Sequence, residues 1–271
     1  MLALAEDVGP GDLTAGLVPA TQVASARVIA REPCILCGRP WFEEVFKQID
    51  PAIHINWHVG EGGAVKTDQV LCEISGQARG VLTGERTALN FLQLLSATST
   101  ITHHYVAAVE DTKATILDTR KTIPGLRLAQ KYAVQIGGAQ NHRIGLYDAI
   151  LIKENHIAAG GGIAATIATA LNIENDALVE AEVETLDEAK AALEAGAHRL
   201  LLDNFSIDGL KSAVNLRDQI APGITLEASG GITLENVLAV ASTGIDFISI
   251  GALTKDVKAI DLSMQFELSD A

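Results

Sequence analysis

The stretch from Leu117 to His156 gathers the side chains best suited to bind an anion. Between Lys113 and Lys153 it carries the cations Lys113, Arg120, Lys121, Arg127, Lys131, Arg143 and Lys153 against two acids, Asp118 and Asp148. His142 and His156 add donors. The chain as a whole is acidic, with a formal charge of −14 over 271 residues. A basic enclave in an acidic protein points to a small anionic molecule held in a pocket. A nucleic-acid binder would carry a broad basic surface. Arg127 and Lys131 read as a solvated helix face with ion pairs. That reading suits Arg120, Lys121, Arg143 and Lys153 poorly, because these fall at strand ends or beside glycines. Arginine grips carboxylates with two parallel hydrogen bonds, so a ligand bearing carboxylates is expected.

A second set of residues is acidic. Glu180, Glu182 and Glu184 alternate with Ala181 and Val183, so they share one face of a strand. Buried carboxylates are costly unless a cation or metal faces them. Lys153, Arg120 and a bound Mg²⁺ are the partners on offer. Asp203, at the end of the next strand, completes a carboxylate pair with Glu182 for a hydrated Mg²⁺; an internal salt bridge without metal is the other reading. Ser229-Gly230-Gly231 lies between a strand and a helix expected to be capped by Thr233. There, backbone N–H groups are free for a phosphate, with Gly251 and Ala252 supplying a second loop. A carboxylate-bearing acceptor and a Mg²⁺-bound phosphorylated donor fit the two sides together.

Cys34-x2-Cys37 followed by His54-x3-His58 imitates a zinc site. However, Ile53, Ile55, Trp57 and Val59 alternate with the histidines as in a strand, which sets the two imidazoles about 13 Å apart, too far for one zinc. The cysteines read as small core residues, and His103 and His104 as surface residues of a helix.

The elements that must position these groups follow from periodicity. Residues 1–98 form a first unit, with a helix over Pro40–Ile49 presenting Trp41, Val45 and Ile49, a strand over Ile53–Val59, and a helix beginning at Gly84. Arg86 then lies near a helix start, where the dipole disfavours a cation; a nearby anion or a plain surface arginine would account for it. From about 114 the pattern is strand, helix, strand, helix. The strands are Thr115–Arg120, Asp148–Lys153, Leu178–Glu184, Arg199–Asp203, Thr225–Ser229 and Phe247–Gly251. A capping box, Thr185-x-x-Glu188, opens one helix and Gly196 stops it. Such alternation implies a parallel sheet or barrel over residues 99–255. Each strand closes on a residue of chemical use, as barrels place them. Residues 256–271 are expected to pack back on the first unit.

Composition narrows the class. An apolar content of 48% with few aromatics suits an α/β enzyme core. No apolar run approaches the ~20 residues of a membrane span, the acidic N-terminus is unlike a secretory signal, and three cysteines give no disulfide framework. The protein is read as soluble and cytoplasmic, with no nucleic-acid or membrane partner.

The segments GERTALNFLQLLSA, LDTRKTIPGLRLAQKYAVQIGGAQNHRIGLYDAILIKENH, VEAEVET, LLDN, LEASGGI and ISIGALT together resemble the quinolinate phosphoribosyltransferase family over nearly the whole chain. The resemblance implies an N-terminal α/β sandwich domain followed by an incomplete, about seven-stranded α/β barrel. It also implies a homodimer or higher homo-oligomer whose active sites are shared. Quinolinate would be held by Arg120, Lys121, His142, Arg143 and Lys153, with Arg86 of the partner subunit reaching in. Glu182 and Asp203 would serve Mg²⁺ and the ribose pyrophosphate. Ser229, Gly230, Gly231 and Gly251 would take the 5′-phosphate. Lys153 is the expected source of the proton for ring C2. Glu6, Asp7 and Gly9 match an element that family members usually precede with about one more helix. Three rivals remain: a sister transferase without decarboxylation, a phosphosugar isomerase, and a ligand-sensing paralogue. The isomerase would not need the TRK, HR and K cluster, and the paralogue would be expected to lack a site residue.

Overall fold

The structure, a computed structural model, describes residues 1–173 and 177–268. The chain forms two compact units, one of residues 1–101 with the segment from 257 onward and one of residues 102–256. The division falls within an unbroken helix, a few residues past position 98. Of the segment expected to pack back, 269–271 lie outside the described residues.

The first unit contains α1 (Leu2–Val8), β1 (Val23–Ala30), β2 (Cys34–Ile35), α2 (Arg39–Ile49), β3 (His54–Trp57), β4 (Ala64–Val65), β5 (Val70–Gln77) and most of α3 (Ala78–Ala108). A closing strand, Leu262–Leu268, pairs antiparallel with β1, which pairs with β5, which pairs with β3. Alternation sorts β1 into two faces: Ala24, Ala26 and Val28 are buried, while Arg27 reaches Glu267 on the other side. The buried face meets Phe42 and Phe46 of α2 and Leu89 and Leu92 of α3, each contributing ~1.5–3 kcal/mol by leaving water. The apolar stripe of α2 is centred on Phe42, Val45 and Phe46, with Trp41 and Ile49 at its half-buried margins. Cys34, Cys37 and Cys72 are buried free thiols.

Gly84 does not start a helix. It lies inside α3, where a Cβ would come within 2.5 Å of the Phe46 ring, so glycine lets the two helices meet. Arg86 is thus about two turns into α3 and exposed, and the dipole argument for an anion beside it falls away.

The second unit contains β6 (Thr115–Leu117), α4 (Arg127–Ile136), β7 (Ala149–Ile152), α5 (Glu154–Ala159), α6 (Ile163–Leu171), β8 (Leu178–Val183), α7 (Leu186–Glu194), β9 (Arg199–Asp203), α8 (Ile207–Ile220), β10 (Thr225–Ser229), α9 (Val237–Ala241), β11 (Phe247–Ser249) and α10 (Ala252–Lys255). The sheet is parallel, in the order β6-β11-β10-β9-β8-β7. The central strands are buried on both faces, as Leu200–Leu202 show. Six strands form among the described residues, where about seven were implied. Beyond β6 the next position holds only a one-residue parallel bridge, Leu117 to Gln140. No helix among the described residues is long and apolar enough to cross a membrane.

Candidate active site

At the carboxyl ends of the parallel strands lies a cavity of about 260 Å³. Its lining includes Thr119, Arg120 and Lys121 from the loop after β6, His142 and Arg143 from the segment before β7, and Lys153 just past β7. The neighbouring strands add Glu182, Leu201, Asp203, Glu227, Ser229 and Ser249. Several strands are shorter than expected. β6 stops at Leu117, β7 at Ile152, β8 at Val183 and β11 at Ser249. Arg120 and Lys121 therefore project from a loop in which the Lys121 N–H donates to Thr119 Oγ1 at 3.0 Å.

The basic wall meets no carboxylate of the described residues, although Arg143 Nη1 donates to the Ala149 carbonyl at 3.1 Å. Among the described residues, no ion pair involves Arg120, Lys121 or Arg143, and the buried Nε of Arg120 meets no acceptor. Burial and the neighbouring Arg120 charge both lower the proton affinity of Arg143. Lys153 differs, since its ammonium contacts the Glu182 carboxylate and its backbone N–H donates to His156 Nδ1 at 3.0 Å. Lys131 is no solvated helix residue. It is 1% exposed and donates to the fully buried Asp118 at 2.5 Å. Arg127 spends its guanidinium on Thr122 and two backbone carbonyls.

Beneath the cavity sit groups that the sequence reading passed over or assigned elsewhere. Glu180 and Glu227 are both 0% exposed. His142 Nε2 lies 3.0 Å from Glu180 and 3.5 Å from Glu227. Arg199 approaches Glu227 at 3.4 Å and stacks on Phe247 at 4.0 Å. Burial, then the Glu180 charge, pushes the Glu227 carboxyl up to about 8. His142, Glu180 and Glu227 are spaced closely enough to surround a metal ion, but their hydrogen bonding opposes it. His142 Nδ1 accepts the Arg143 N–H at 2.7 Å, which leaves the ring proton on Nε2, facing the carboxylates as a donor. His142 is itself part of the cavity lining. Glu184 is exposed and takes no part.

The acidic side is shaped by Asn204. Its side-chain amide donates to Asp203 at 2.8 Å, and its backbone N–H donates to the Ser229 carbonyl at 2.9 Å. Burial, then the Glu182 charge, raises the Asp203 carboxyl, with Lys153 and Lys121 opposing. Gly230, at φ +98°, is required here: a Cβ would lie 2.1 Å from Asn204 Oδ1. Gly231 has φ +60° and open space around it. Gly251 leaves room for the Lys121 stem, 3.1 Å from where a Cβ would stand. Thr233 does not cap a helix. Residues 234–236 form a turn and α9 starts at Val237, only five residues long.

Residues 12–96 match the N-terminal domain of quinolinate phosphoribosyl transferase and residues 98–265 match its C-terminal domain. The chain belongs to the quinolinate phosphoribosyltransferase family. A probable nicotinate-nucleotide pyrophosphorylase (carboxylating) from Synechocystis is 41% identical over 97% of this chain and 89% of its own length. The nicotinate-nucleotide pyrophosphorylase (carboxylating) of Mycobacterium leprae is 40% identical over 97% of this chain and 94% of its own. The solved nicotinate-nucleotide pyrophosphorylase of Francisella tularensis superposes with a TM-score of 0.94 at 47% identity, covering 98% of this chain and 94% of that one. In this member of the quinolinate phosphoribosyltransferase family, the expected cations and acids from the second unit converge on one cavity. Gly230, Gly231 and Gly251 do not themselves line it, and Arg86 is exposed on α3 of the first unit. The sequence signal that could have flagged Glu227 was present: like Glu180, it alternates with apolar neighbours inside a strand otherwise built for burial.

Proposed function

We propose that the chain transfers the 5-phosphoribosyl group from phosphoribosyl pyrophosphate to quinolinate with decarboxylation. The products are nicotinate mononucleotide, pyrophosphate and CO₂, a step of de novo NAD biosynthesis. The observation that carries this reading is the wall of three cations, Arg120, Lys121 and Arg143, with no carboxylate of the protein in ion-pair range. A cavity so charged is complementary to a dianion, and two guanidinium forks suit two carboxylates on a rigid ring.

On this reading Arg120, Lys121 and Arg143 bind and orient the ring so that its nitrogen faces ribose C1. Holding the reactants in line supplies much of the rate enhancement. His142 borders the same space and, by accepting the Arg143 backbone N–H at Nδ1, also orients that residue. As the C1–O bond to pyrophosphate breaks, positive charge develops on the ribose, and Glu182 and Asp203 lie on that side of the cavity. The pair of partly buried carboxylates, with Asp203 raised by Glu182, is an oxygen donor set suited to Mg²⁺. Mg²⁺ held there would neutralise charge on the pyrophosphate. Once the nitrogen is alkylated, the ring accepts the electron pair released as the 2-carboxylate leaves as CO₂. Lys153, held at Glu182, then gives C2 a proton. The 5′-phosphate would lie at the Ser229 end of the cavity, beside the glycine turns of Gly230, Gly231 and Gly251.

The finer parts of the proposal are a homodimer or larger assembly in which Arg86 of the partner subunit completes each site, and a cytoplasmic location consistent with three unpaired thiols. The deciding experiment is incubation with carboxyl-labelled quinolinate, phosphoribosyl pyrophosphate and Mg²⁺. Nicotinate mononucleotide and labelled CO₂ appear in equal amounts if the reading holds; a ribosylated product without CO₂ would indicate a non-decarboxylating transferase. Arg120→Ala and Arg143→Ala should each raise the quinolinate KM about thirtyfold, the loss of about 2 kcal/mol of charge-assisted hydrogen bonding. Wild-type kinetics in both would remove the dicarboxylate pocket.

A further inference from the structure

The two loops that carry Arg120 and Arg143 flank α4 in sequence, and a single face of that helix ties them together. Arg127 and Lys131 stand four residues apart on α4, so they share one side of it. Arg127 Nε donates to Thr122 Oγ1 at 3.0 Å and its Nη2 to the Arg120 carbonyl at 3.3 Å, both in the loop after β6. Its Nη1 donates at 3.1 Å to the Ile144 carbonyl, one residue past Arg143. One guanidinium thus bridges both loops, a task its fixed fork allows and a lysine point charge does not. One turn on, Lys131 Nζ donates to Asp118 Oδ1 at 2.5 Å and to the His142 carbonyl at 2.9 Å. The same Asp118 oxygen accepts the His142 N–H at 2.8 Å. The residue before Arg143 is therefore gripped at both its backbone polar groups by a buried ion pair.

We propose that Arg127, Lys131 and Asp118 are positioning residues for the dicarboxylate end of the cavity. They set the separation and angle of Arg120 and Arg143 without touching the ligand. This rests on the reading that those arginines bind quinolinate. Preorganised binding groups need a supporting layer that locks them, and a displacement of about 1 Å can cost on the order of a hundredfold. The bonds of this face run to the loop after β6 and to the segment of His142 and Ile144, the two stretches that carry the basic wall.

Two variants test the inference. Arg127→Met keeps the aliphatic stem of a half-buried side chain and removes the bridge. Asp118→Leu with Lys131→Met replaces the buried pair by apolar groups of similar size, a change that proteins often tolerate. Quinolinate affinity, measured by calorimetry without the second substrate, should weaken at least tenfold in each variant that folds, while the KM for phosphoribosyl pyrophosphate stays within twofold. Arg127→Lys should recover only part of the loss. A general loss of structure would not split the two substrates in this way. If the double variant does not fold, Arg127→Met alone decides. Quinolinate affinity within twofold of wild type in Arg127→Met overturns the inference. Arg120→Ala and Arg143→Ala run alongside: normal quinolinate affinity in those two would instead defeat the pocket reading on which it rests.

Discussion

Glu227 occupies a place where a negative charge is hard to keep. Glu180 faces it, Arg199 and His142 offset it only in part, and Oε1 is buried without a partner. The unfolded chain releases this proton near 4.5 and the folded chain holds it to about 8. The folded state therefore binds more protons across that interval, and stability falls as pH rises through it. Full stabilisation from this group is present below about 4.5 and is gone above about 8. Glu227→Gln keeps the shape and removes the titration. Thermal and urea melts at pH 5 and pH 8 should show wild type losing about 1–3 kcal/mol more than the variant, each tenfold change in proton affinity being worth about 1.4 kcal/mol. A second test is Gly230→Ala. It adds a Cβ against Asn204 at a backbone angle that alanine resists, and should cost about 1–3 kcal/mol, with a raised KM for phosphoribosyl pyrophosphate as Asn204 releases Asp203. Much of the cavity was legible at this scale. Arg120, Lys121, Lys153, Glu182 and Asp203 stand out because charged residues at or just past the ends of apolar strands break the pattern, and Arg143 because it sits beside a glycine turn rather than on a helix face. Asp118 and Lys131 did not stand out, since a buried pair thirteen positions apart leaves no periodic trace and a lysine on a helix looks solvated.

Among the elements, α7 was readable down to its cap. Thr185 Oγ1 accepts the Glu188 N–H and Glu188 returns the bond to Thr185 N–H, both at 3.2 Å. The helix ends at Glu194 ahead of Gly196 at φ +83°. Thr185→Ala should lower stability by about 1 kcal/mol in urea unfolding and leave substrate KM values unchanged. Two readings failed because glycine and threonine were taken as helix punctuation. Gly84 serves the approach of α3 to Phe46, and Thr233 precedes a turn rather than a helix. Strand ends ran short because the terminal residues exchange ladder bonds for loop bonds, as Asp118 does by donating its N–H to the Gln140 carbonyl at 3.2 Å.

For the molecule as a whole, the proposed sharing of sites makes a sharp prediction. Assayed at quinolinate well below the wild-type KM, Arg86→Ala and Arg143→Ala should each keep only a small fraction of wild-type activity alone. After the two are mixed and their subunits exchanged, about a quarter of wild-type activity should return through mixed dimers holding one intact site. No recovery despite demonstrated exchange would mean that Arg86 serves its own chain or none. The overall plan of two units, the second a parallel α/β array, was legible from the change of periodicity near residue 114. What composition could not supply was the pairing of the last strand with the first.

That pairing bears on how the protein is made. The array of residues 102–256 is continuous in sequence and can assemble as soon as it clears the ribosome. The sheet that precedes it cannot be finished then, because β1 waits for Leu262–Leu268, synthesised more than two hundred residues later. Until release, one edge of β1 is left unsatisfied, an opening for mispairing with other nascent chains. A stop codon after Lys258 should therefore yield a chain whose first half aggregates or is degraded while the array still resists protease.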